Sequence, residues 1–460
     1  MIEKMTDNTT DNMTSNMKIL VIGSGGREHA IVKKLSESKK VSKLYCAPGN
    51  GGISQLAECI DIDALDIDGM VDFSKKNSID LVVVAPEAPL SKGMADALNN
   101  IGIRAFGPDA DAAMIESSKV FSKNLMKKYN IPTAAYEIFT DSNSALNYLK
   151  SSKYPIVIKA DGLAAGKGVI IANNYNEAKA AFSDIMGNKI FGDSGNKVVV
   201  EEFLTGTEVS ILAFTDGKTI YPMVSAKDHK KIFDNDEGPN TGGMGAISPS
   251  LLYTKELADI CMKKIFKPTV DAMNAENRKF KGVLFFGLMI TDEGPKVIEY
   301  NCRFGDPETQ VVLPRLKNDL VDIFEAVIDE KLDSINIEWE DNAAACVVMA
   351  SGGYPGNYEK GYVISGMEDA LKLKDIYVYH AGTKKTMDGE FVTDGGRVIG
   401  VTATGGNLGE AIEKAYEAVG KIFFKDAHFR KDIGKKLYSP VEGSFAEKIT
   451  VFPEIETPNI

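Results

Sequence analysis

Little in this chain suits a disulfide scaffold, a metal cluster or a membrane. Its cysteines, at 46, 59, 261, 302 and 346, are odd in number, scattered and never in C-x-x-C spacing. Neither a disulfide framework nor a zinc site is indicated, and the pattern suits a reducing cytosol. His29, His229, His380 and His428 are too dispersed to read as a metal cluster. No apolar run approaches the ~18 residues of a membrane span. Positive charge is also short: 53 Lys and Arg against 65 Asp and Glu leave a net charge of −12. A bulk electrostatic footprint for nucleic acid is therefore absent, although a local basic pocket for a small phosphate is allowed.

What the chain does have is length and an ordinary globular balance. At ~150 residues per domain, its 460 residues imply roughly three domains. Hydrophobic residues at 44% and charged residues at 26% exclude a disordered or fibrous chain. Residues 1–16 are polar and lack both periodicity and an apolar h-region. They read as a disordered tail, or the product of an upstream start codon, rather than a signal peptide. Residues 435–460 read as a loosely packed extension.

From Met17 onward, short apolar, β-branched runs at 18–22, 43–46, 81–84 and 103–106 alternate with helical spacing, as at 29–35 and 92–98. Continuous apolar strands separated by helices imply a parallel sheet covered on both faces, with right-handed connections. That is a doubly wound α/β domain. Its first strand-to-helix turn, Gly23-Ser24-Gly25-Gly26-Arg27-Glu28-His29, suits either an anion at a helix N-terminus or plain tight packing. Glu28 stands where a dinucleotide fingerprint needs its third glycine, so that motif is incomplete. The strand ends Ala47-Pro48-Gly49-Asn50 and Ala85-Pro86-Glu87 favour binding, because ligands of open α/β sheets sit at the carboxyl ends of strands.

Further on, a strand at 154–159 leads through Ala160-Asp161-Gly162-Leu163-Ala164-Ala165-Gly166-Lys167-Gly168 into a second strand at 169–172. Only three residues separate Gly162 from Gly166, and Gly168 replaces the magnesium-binding hydroxyl, so this is not a Walker A loop. A glycine-rich hairpin over phosphates, with Lys159 and Lys167 as charges, fits better; a bare surface hairpin is the alternative. The run 198–204 is a strand ending in Glu201 and Glu202, which suits an adenine edge and ribose hydroxyls, or simply a strand entering solvent. Residues 227–245 are too glycine-rich for regular structure and too long for a hairpin turn, which is the pattern of an active-site lid.

Val297-Ile298-Glu299-Tyr300-Asn301-Cys302-Arg303 carries the strongest chemistry. Alternation puts Glu299, Asn301 and Arg303 on one face and turns Ile298 and Tyr300 into the core. A carboxylate beside an amide oxygen suits a hard cation shared with substrate phosphates. Arg303 suits a bidentate clamp on a developing phosphate charge. Cys302 points the other way and reads as packing.

Taken in order, GSGGREHA, APGNGG, PEAPL, IKADGLAAGKGV, DHKKIFDNDEGPNTGGMGA and VIEYNCRFGDPETQ resemble the phosphoribosylamine–glycine ligase family of ATP-grasp carboxylate–amine ligases, from about Met17 to Gly434. The resemblance implies an α/β multidomain fold: an N-terminal doubly wound parallel domain (17–118), an ATP-grasp core (119–340) with an inserted lid at about 138–205, and a mixed α/β C-terminal domain (341–434). It implies ligation of glycine to 5-phosphoribosylamine through glycyl phosphate, giving glycinamide ribonucleotide, ADP and phosphate, in cytoplasmic purine synthesis. Partners are these small molecules and ATP, without nucleic acid or membrane; channelling to neighbouring purine enzymes stays open.

By the family's pattern, Glu299 and Asn301 hold Mg²⁺ or Mn²⁺. Lys119, Lys159 and the loop Ala164, Ala165, Gly166, Lys167 and Gly168 meet the ATP phosphates. Glu201, Glu202, Phe203, Leu204 and Glu208 meet adenine and ribose. Gly25, Gly26, Arg27, Gly49, Asn50 and Glu87 face phosphoribosylamine, while Asp228, His229, Lys230 and Arg303 lie near the reacting groups. Many relatives in the wider superfamily carry a second metal carboxylate twelve residues before the first; here that position is Gly287, which puts a second metal in doubt.

Two other classes compete. A nicotinamide-dependent oxidoreductase would need the complete glycine fingerprint that Glu28 interrupts. A non-catalytic nucleotide sensor would have no use for an intact carboxylate–amide–arginine cluster. A ligase of the same fold with another acid or amine is the nearest rival.

Overall fold

The computed structural model describes residues 16–164 and 168–435. Apart from Asn16 and Lys435, the expected tail and extension lie outside the described residues, as do Ala165, Gly166 and Lys167 of the glycine-rich hairpin. Among the described residues no helix is long and apolar enough to cross a membrane.

The first hundred residues form the doubly wound domain. Five parallel strands run in the order Glu58–Cys59, Val41–Pro48, Met17–Gly23, Leu81–Val84, Arg104–Phe106. All four residues of Leu81–Val84 are buried, as an apolar strand covered on both faces requires. The expected helix at 92–98 is instead two, Glu87–Ser91 and Met94–Asn99. Gly93, at φ +83°, breaks them apart by taking the left-handed conformation.

The core of the molecule is an antiparallel sheet in the order Ile220–Pro222, Thr207–Thr215, Gly282–Thr291, Gly294–Asn301. A second antiparallel sheet, ordered Tyr136–Phe139, Val198–Glu202, Ile156–Ala160, Val169–Ala172, stands over it with its own apolar core. The expected strand–loop–strand hairpin is the pair Ile156–Ala160 and Val169–Ala172.

Residues 227–248 are more regular than their composition suggests. Lys231–Phe233 pairs with Glu237–Asn240 as a hairpin, and Asn235 and Asp236, at φ 62° and 59°, supply the turn. Lys227–Asp228 and Gly245–Ser248 join the C-terminal sheet, whose order is Lys227–Asp228, Gly245–Ser248, Ala343–Ala350, Arg397–Gly405, Ile376–His380. That sheet is closed by the helix Leu408–Val419, whose Ala411, Ile412, Ala415 and Ala418 face it.

Four phenylalanines pack where the first domain meets the core. Phe106, from the edge strand of the parallel sheet, stacks on Phe324 of the helix Leu320–Ile328 at 3.8 Å. Phe304, three residues past the strand Gly294–Asn301, packs edge-on to Phe324 at 6.4 Å and to Phe214 of the core sheet at 6.0 Å. Each ring buries a large apolar area that helix or strand propensity alone does not supply. Phe324→Ala opens a cavity at this junction and is expected to cost about 3–5 kcal/mol, read as a lower thermal midpoint. An unchanged midpoint would show that this packing does not contribute to stability.

Candidate active site

A bulge, not simple alternation, arranges the central strand. Opposite Gly282–Thr291 the register slips by one, so that Glu299 faces Gly287, Val297 faces Leu288 and Ile298 is the extra residue. The expectation that Ile298 points into the core is therefore corrected. Val297 and Tyr300 are buried there instead, and Ile298 is only half-buried. Its carbonyl, free of the ladder, accepts from Lys159 Nζ at 3.1 Å. Gly287 sits directly across from Glu299, and a Cβ built on it would lie 3.0 Å from Glu299 Cγ. No side chain fits there while Glu299 keeps this rotamer.

Glu299, Asn301 and Arg303 do share one face. Lys230 Nζ lies 3.5 Å from Glu299 Oε1 and 3.3 Å from Glu208 Oε2. Lys230, with Lys159, Lys119 and Arg303 behind it, holds the Glu299 carboxyl below its ordinary range against the effect of burial. Glu208 and Glu299 in turn hold the Lys230 ammonium well above its ordinary range. Arg303 has a different task from the expected phosphate clamp. Its Nε donates to Glu87 at 3.0 Å, and one terminal nitrogen donates to Asn301 Oδ1 and the Phe304 carbonyl, both at 3.3 Å. The other terminal nitrogen pairs with Glu116 at 3.3 Å. With all three nitrogens engaged, Arg303 is the counter-ion of two acids and fixes the amide of Asn301.

The lysines approach from the opposite wall. Lys119, at the start of the helix Lys119–Lys128, donates to the Gly162 carbonyl at 3.1 Å. Burial lowers its pKa, opposed by Glu299. Lys159 pairs with Glu201 at 3.0 Å, and Glu201 also pairs with Lys123 at 2.8 Å. Glu201, expected at the adenine or ribose, is thus spent between two ammonium groups, and its carboxylate is buried. Glu202, Phe203 and Glu208 are exposed, Ala164 and Leu204 are half-buried, and Gly168 is buried beside Ala164.

At the first glycine turn the helix N-terminus is occupied by the chain itself. Gly25 N–H donates to Glu28 Oε2 at 2.6 Å, and Glu28 Oε1 takes Arg27 Nε at 2.7 Å. A Cβ on Gly25 would lie 2.7 Å from Glu28, and one on Gly26 2.7 Å from Gln310, so both glycines serve close approach. Arg27 also donates to the Phe304 carbonyl at 3.1 Å and lies 4.0 Å from Glu87. Although burial opposes it, Arg303 and Arg27 bring the Glu87 carboxyl down to about 2. Asn50 is saturated: its amide donates to the Ser24 and His380 carbonyls and its oxygen accepts from Gly52 and Ile53. It staples the loop after Gly49, and its side chain has no donor or acceptor left for a ligand.

Asp228 and Lys230 face the cleft; His229 faces away. His229 Nε2 accepts from the Gly434 N–H at 3.3 Å, inside the C-terminal domain. The expectation that it lies near the reacting groups is corrected by the ordinary two-residue alternation of the chain. Burial and then Glu308 raise the Asp228 carboxyl well above its usual range. The glycine loop beside it is pinned by Arg397, which donates to the Gly242 carbonyl at 2.7 Å and the Asp306 carbonyl at 2.9 Å. Arg397, Glu116, Lys123 and Glu308 were not singled out from the sequence. Glu308 and Asp306 belong to the run VIEYNCRFGDPETQ, but nothing local marks Arg397 or Lys123, whose partners are far along the chain.

An acid–amide pair on a bulged core strand, faced by lysines from a helix and from a second four-stranded sheet that carries the glycine-rich hairpin, is the arrangement of an ATP-grasp ligase. Family models agree throughout: the N domain of phosphoribosylglycinamide synthetase matches residues 17–116, its ATP-grasp (A) domain 117–309 and its C domain 344–436. A phosphoribosylamine–glycine ligase of Caldanaerobacter subterraneus is 51% identical over 91% of this chain and 99% of its own length. One from Escherichia coli O6:H1 is 48% identical over 91% of this chain and 98% of its own. The crystal structure of the Thermotoga maritima phosphoribosylamine–glycine ligase superposes with a TM-score of 0.78 at 31% identity, covering 91% of this chain and all of that one. The chain belongs to the phosphoribosylglycinamide synthetase family. It is an ADP-forming carbon–nitrogen ligase of purine biosynthesis with phosphoribosylamine–glycine ligase activity.

Three histidines of this fold are buried and held neutral. Burial lowers His229 and His380 to about 4, and burial with the neighbouring His380 lowers His29 to about 3. A depressed folded-state pKa means the unfolded chain binds more protons between the two values, so stability falls as pH drops. The thermal midpoint is expected to decline from pH 6.5 toward 4, and less steeply in His229→Gln. Equal slopes in both proteins would contradict the buried neutral state of His229.

Proposed function

We propose that the cleft lined by Glu299, Asn301, Lys119, Lys159 and Lys230 holds the ATP triphosphate with one divalent cation, Mg²⁺ or Mn²⁺. The observation that carries this is an ionised carboxylate and an amide oxygen on one strand face, ringed by four cations. Glu299 and Asn301 offer hard oxygen donors, as Mg²⁺ and Mn²⁺ prefer, and Arg303 orients the amide. Among the described residues no group of three or more acids, histidines or cysteines gathers around one point. Phosphate oxygens and water would therefore complete the shell. When bound, the ion neutralises charge on the transferring phosphoryl group.

Glycine's carboxylate repels an attacking amine. Phosphorylation by ATP gives glycyl phosphate, replacing an oxide leaving group with phosphate; the amine of phosphoribosylamine then attacks that carbonyl. This chain's work is placement and charge. Lys159 and Lys119 meet the phosphates, together with the loop Ala164 to Gly168. Phe203 and Leu204 supply backbone beyond the strand end for adenine, and Glu202 and Glu208 are the acids left for ribose. Glycine sits between Lys230 and Asp228. Phosphoribosylamine lies toward Gly25, Gly26, Arg27, Gly49 and Glu87. A closed four-stranded sheet keeps water from the acyl phosphate. A cytoplasmic setting belongs to the same reading.

Coupled ADP release, with glycine and phosphoribosylamine each omitted in turn, tests the reaction: release is expected only with both present in steady state. Glu299→Ala is expected to lower kcat/KM by at least about 100-fold, the scale of one lost charge-stabilising group, with an unchanged circular dichroism spectrum. Near-normal turnover would remove Glu299 from the metal site. Lys159→Met is expected to raise KM for ATP on the order of tenfold, the loss of one charge-assisted contact. Unchanged KM and kcat would end its phosphate role.

A further inference from the structure

Behind Lys159 lies a buried charge cluster that the reaction chemistry leaves unassigned. Lys123, on the helix Lys119–Lys128, is 2% exposed and so has no access to a ligand. Its Nζ pairs with Glu201 Oε2 at 2.8 Å, and Glu201 Oε1 pairs with Lys159 at 3.0 Å. Lys123 also donates to Thr133 Oγ1 at 2.8 Å, which donates to the Val297 carbonyl at 2.7 Å. Lys159 donates to the carbonyl of Ile298, the next residue. A ring of polar contacts therefore joins the helix, two strands of the upper sheet and the bulge at Val297 and Ile298.

Charge decides what this ring does. Among the described residues, Glu201 is the only carboxylate within 4.0 Å of either ammonium. At ion-pair distance two cations share one anion, leaving one positive charge in surplus in a buried place, with Glu299 across the cleft as the next carboxylate it acts on. Burial of that kind is costly unless a counter-ion arrives. Were Lys123 neutral, Glu201 would pair with Lys159 alone and cancel it.

We propose that Lys123 is a positioning residue for nucleotide: by sharing Glu201 it keeps the charge of Lys159 in surplus for the phosphates and ties the upper sheet to the metal-binding strand. This rests on the reading that Lys159 meets the phosphates. A residue that only filled space would change stability, or all substrates alike, without selecting for phosphate.

The test is calorimetric titration of the full chain with ADP and, separately, with adenosine. The readout is the ratio of the two dissociation constants. Lys123→Met is expected to weaken ADP about tenfold while adenosine changes little. Lys123→Arg keeps the charge and is expected to keep the ratio. Lys123→Met/Glu201→Gln is expected to recover most of the loss, because Lys159 is no longer cancelled.

A second measurement needs no charge deletion. Burial, opposed by Glu201, lowers the Lys123 ammonium to about 8; Lys159, Glu202 and the Tyr136 ring also face it. The wild-type preference for ADP is expected to decline as pH rises through 8, and to decline less in Lys123→Arg. Equal ratios for wild type and Lys123→Met, no recovery in the double variant, or identical pH profiles for wild type and Lys123→Arg would each overturn the proposal. Lys159→Met is the control. If it leaves ADP binding unchanged, the phosphate role of Lys159 fails; if it weakens ADP while Lys123→Met does not, only the role of Lys123 fails.

Discussion

A carboxylate that stays ionised in a half-buried cleft needs cations around it, and the rest of this structure is arranged so that Glu299 has them. Lys230 reaches it from the glycine loop at 3.5 Å. Lys159 and Lys119 come from the opposite wall, and Arg303 from its own strand. Those four cations are themselves held. Glu208 balances Lys230, Glu201 is shared by Lys159 and Lys123, Glu87 and Glu116 balance Arg303, and Lys119 donates to the Gly162 carbonyl. In a low-dielectric cleft each such partner matters, because an unpaired buried charge costs several kcal/mol by order of magnitude.

That network draws its members from every part of the chain. Glu87 comes from the parallel-sheet domain, Lys119 and Lys159 from the ATP-grasp region, and Arg397, which pins the glycine loop, from the C-terminal domain. The packing that brings them together is apolar: the phenylalanine junction of Phe106, Phe214, Phe304 and Phe324 fixes how the first domain meets the core. The cleft is therefore preorganised before any nucleotide arrives. For phosphoryl transfer that is the useful state, since the protein contributes positioning and charge rather than covalent chemistry.

Much of this was legible in the residues. Runs such as 81–84 announced a parallel sheet, and the hairpin around the glycine-rich loop followed from two apolar strands with a small-residue link. The side-by-side acid and amide at 299 and 301 were visible from alternation. Where alternation misled, a single bulge was responsible: Ile298 is the extra residue, so Val297 rather than Ile298 enters the core. Plain alternation, applied at 228–230, would have turned His229 away from the cleft, as the structure does. Asn50 was legible as a strand-end polar residue but not as a saturated one. Its carbonyl partner at His380 is 330 positions away.

By itself, then, the order of residues determined the elements, the motifs and the chemical character of the central strand, because strand and turn preferences and alternation act over a few residues. Tertiary structure decided which charged groups are free and which are spent. Arg303 turned out to be held between Glu87 and Glu116, Glu201 to be divided between two lysines, and Lys123 to stand behind them. Coulomb interactions and burial depend on distance through space, and no local pattern encodes a contact between residues separated by most of a domain.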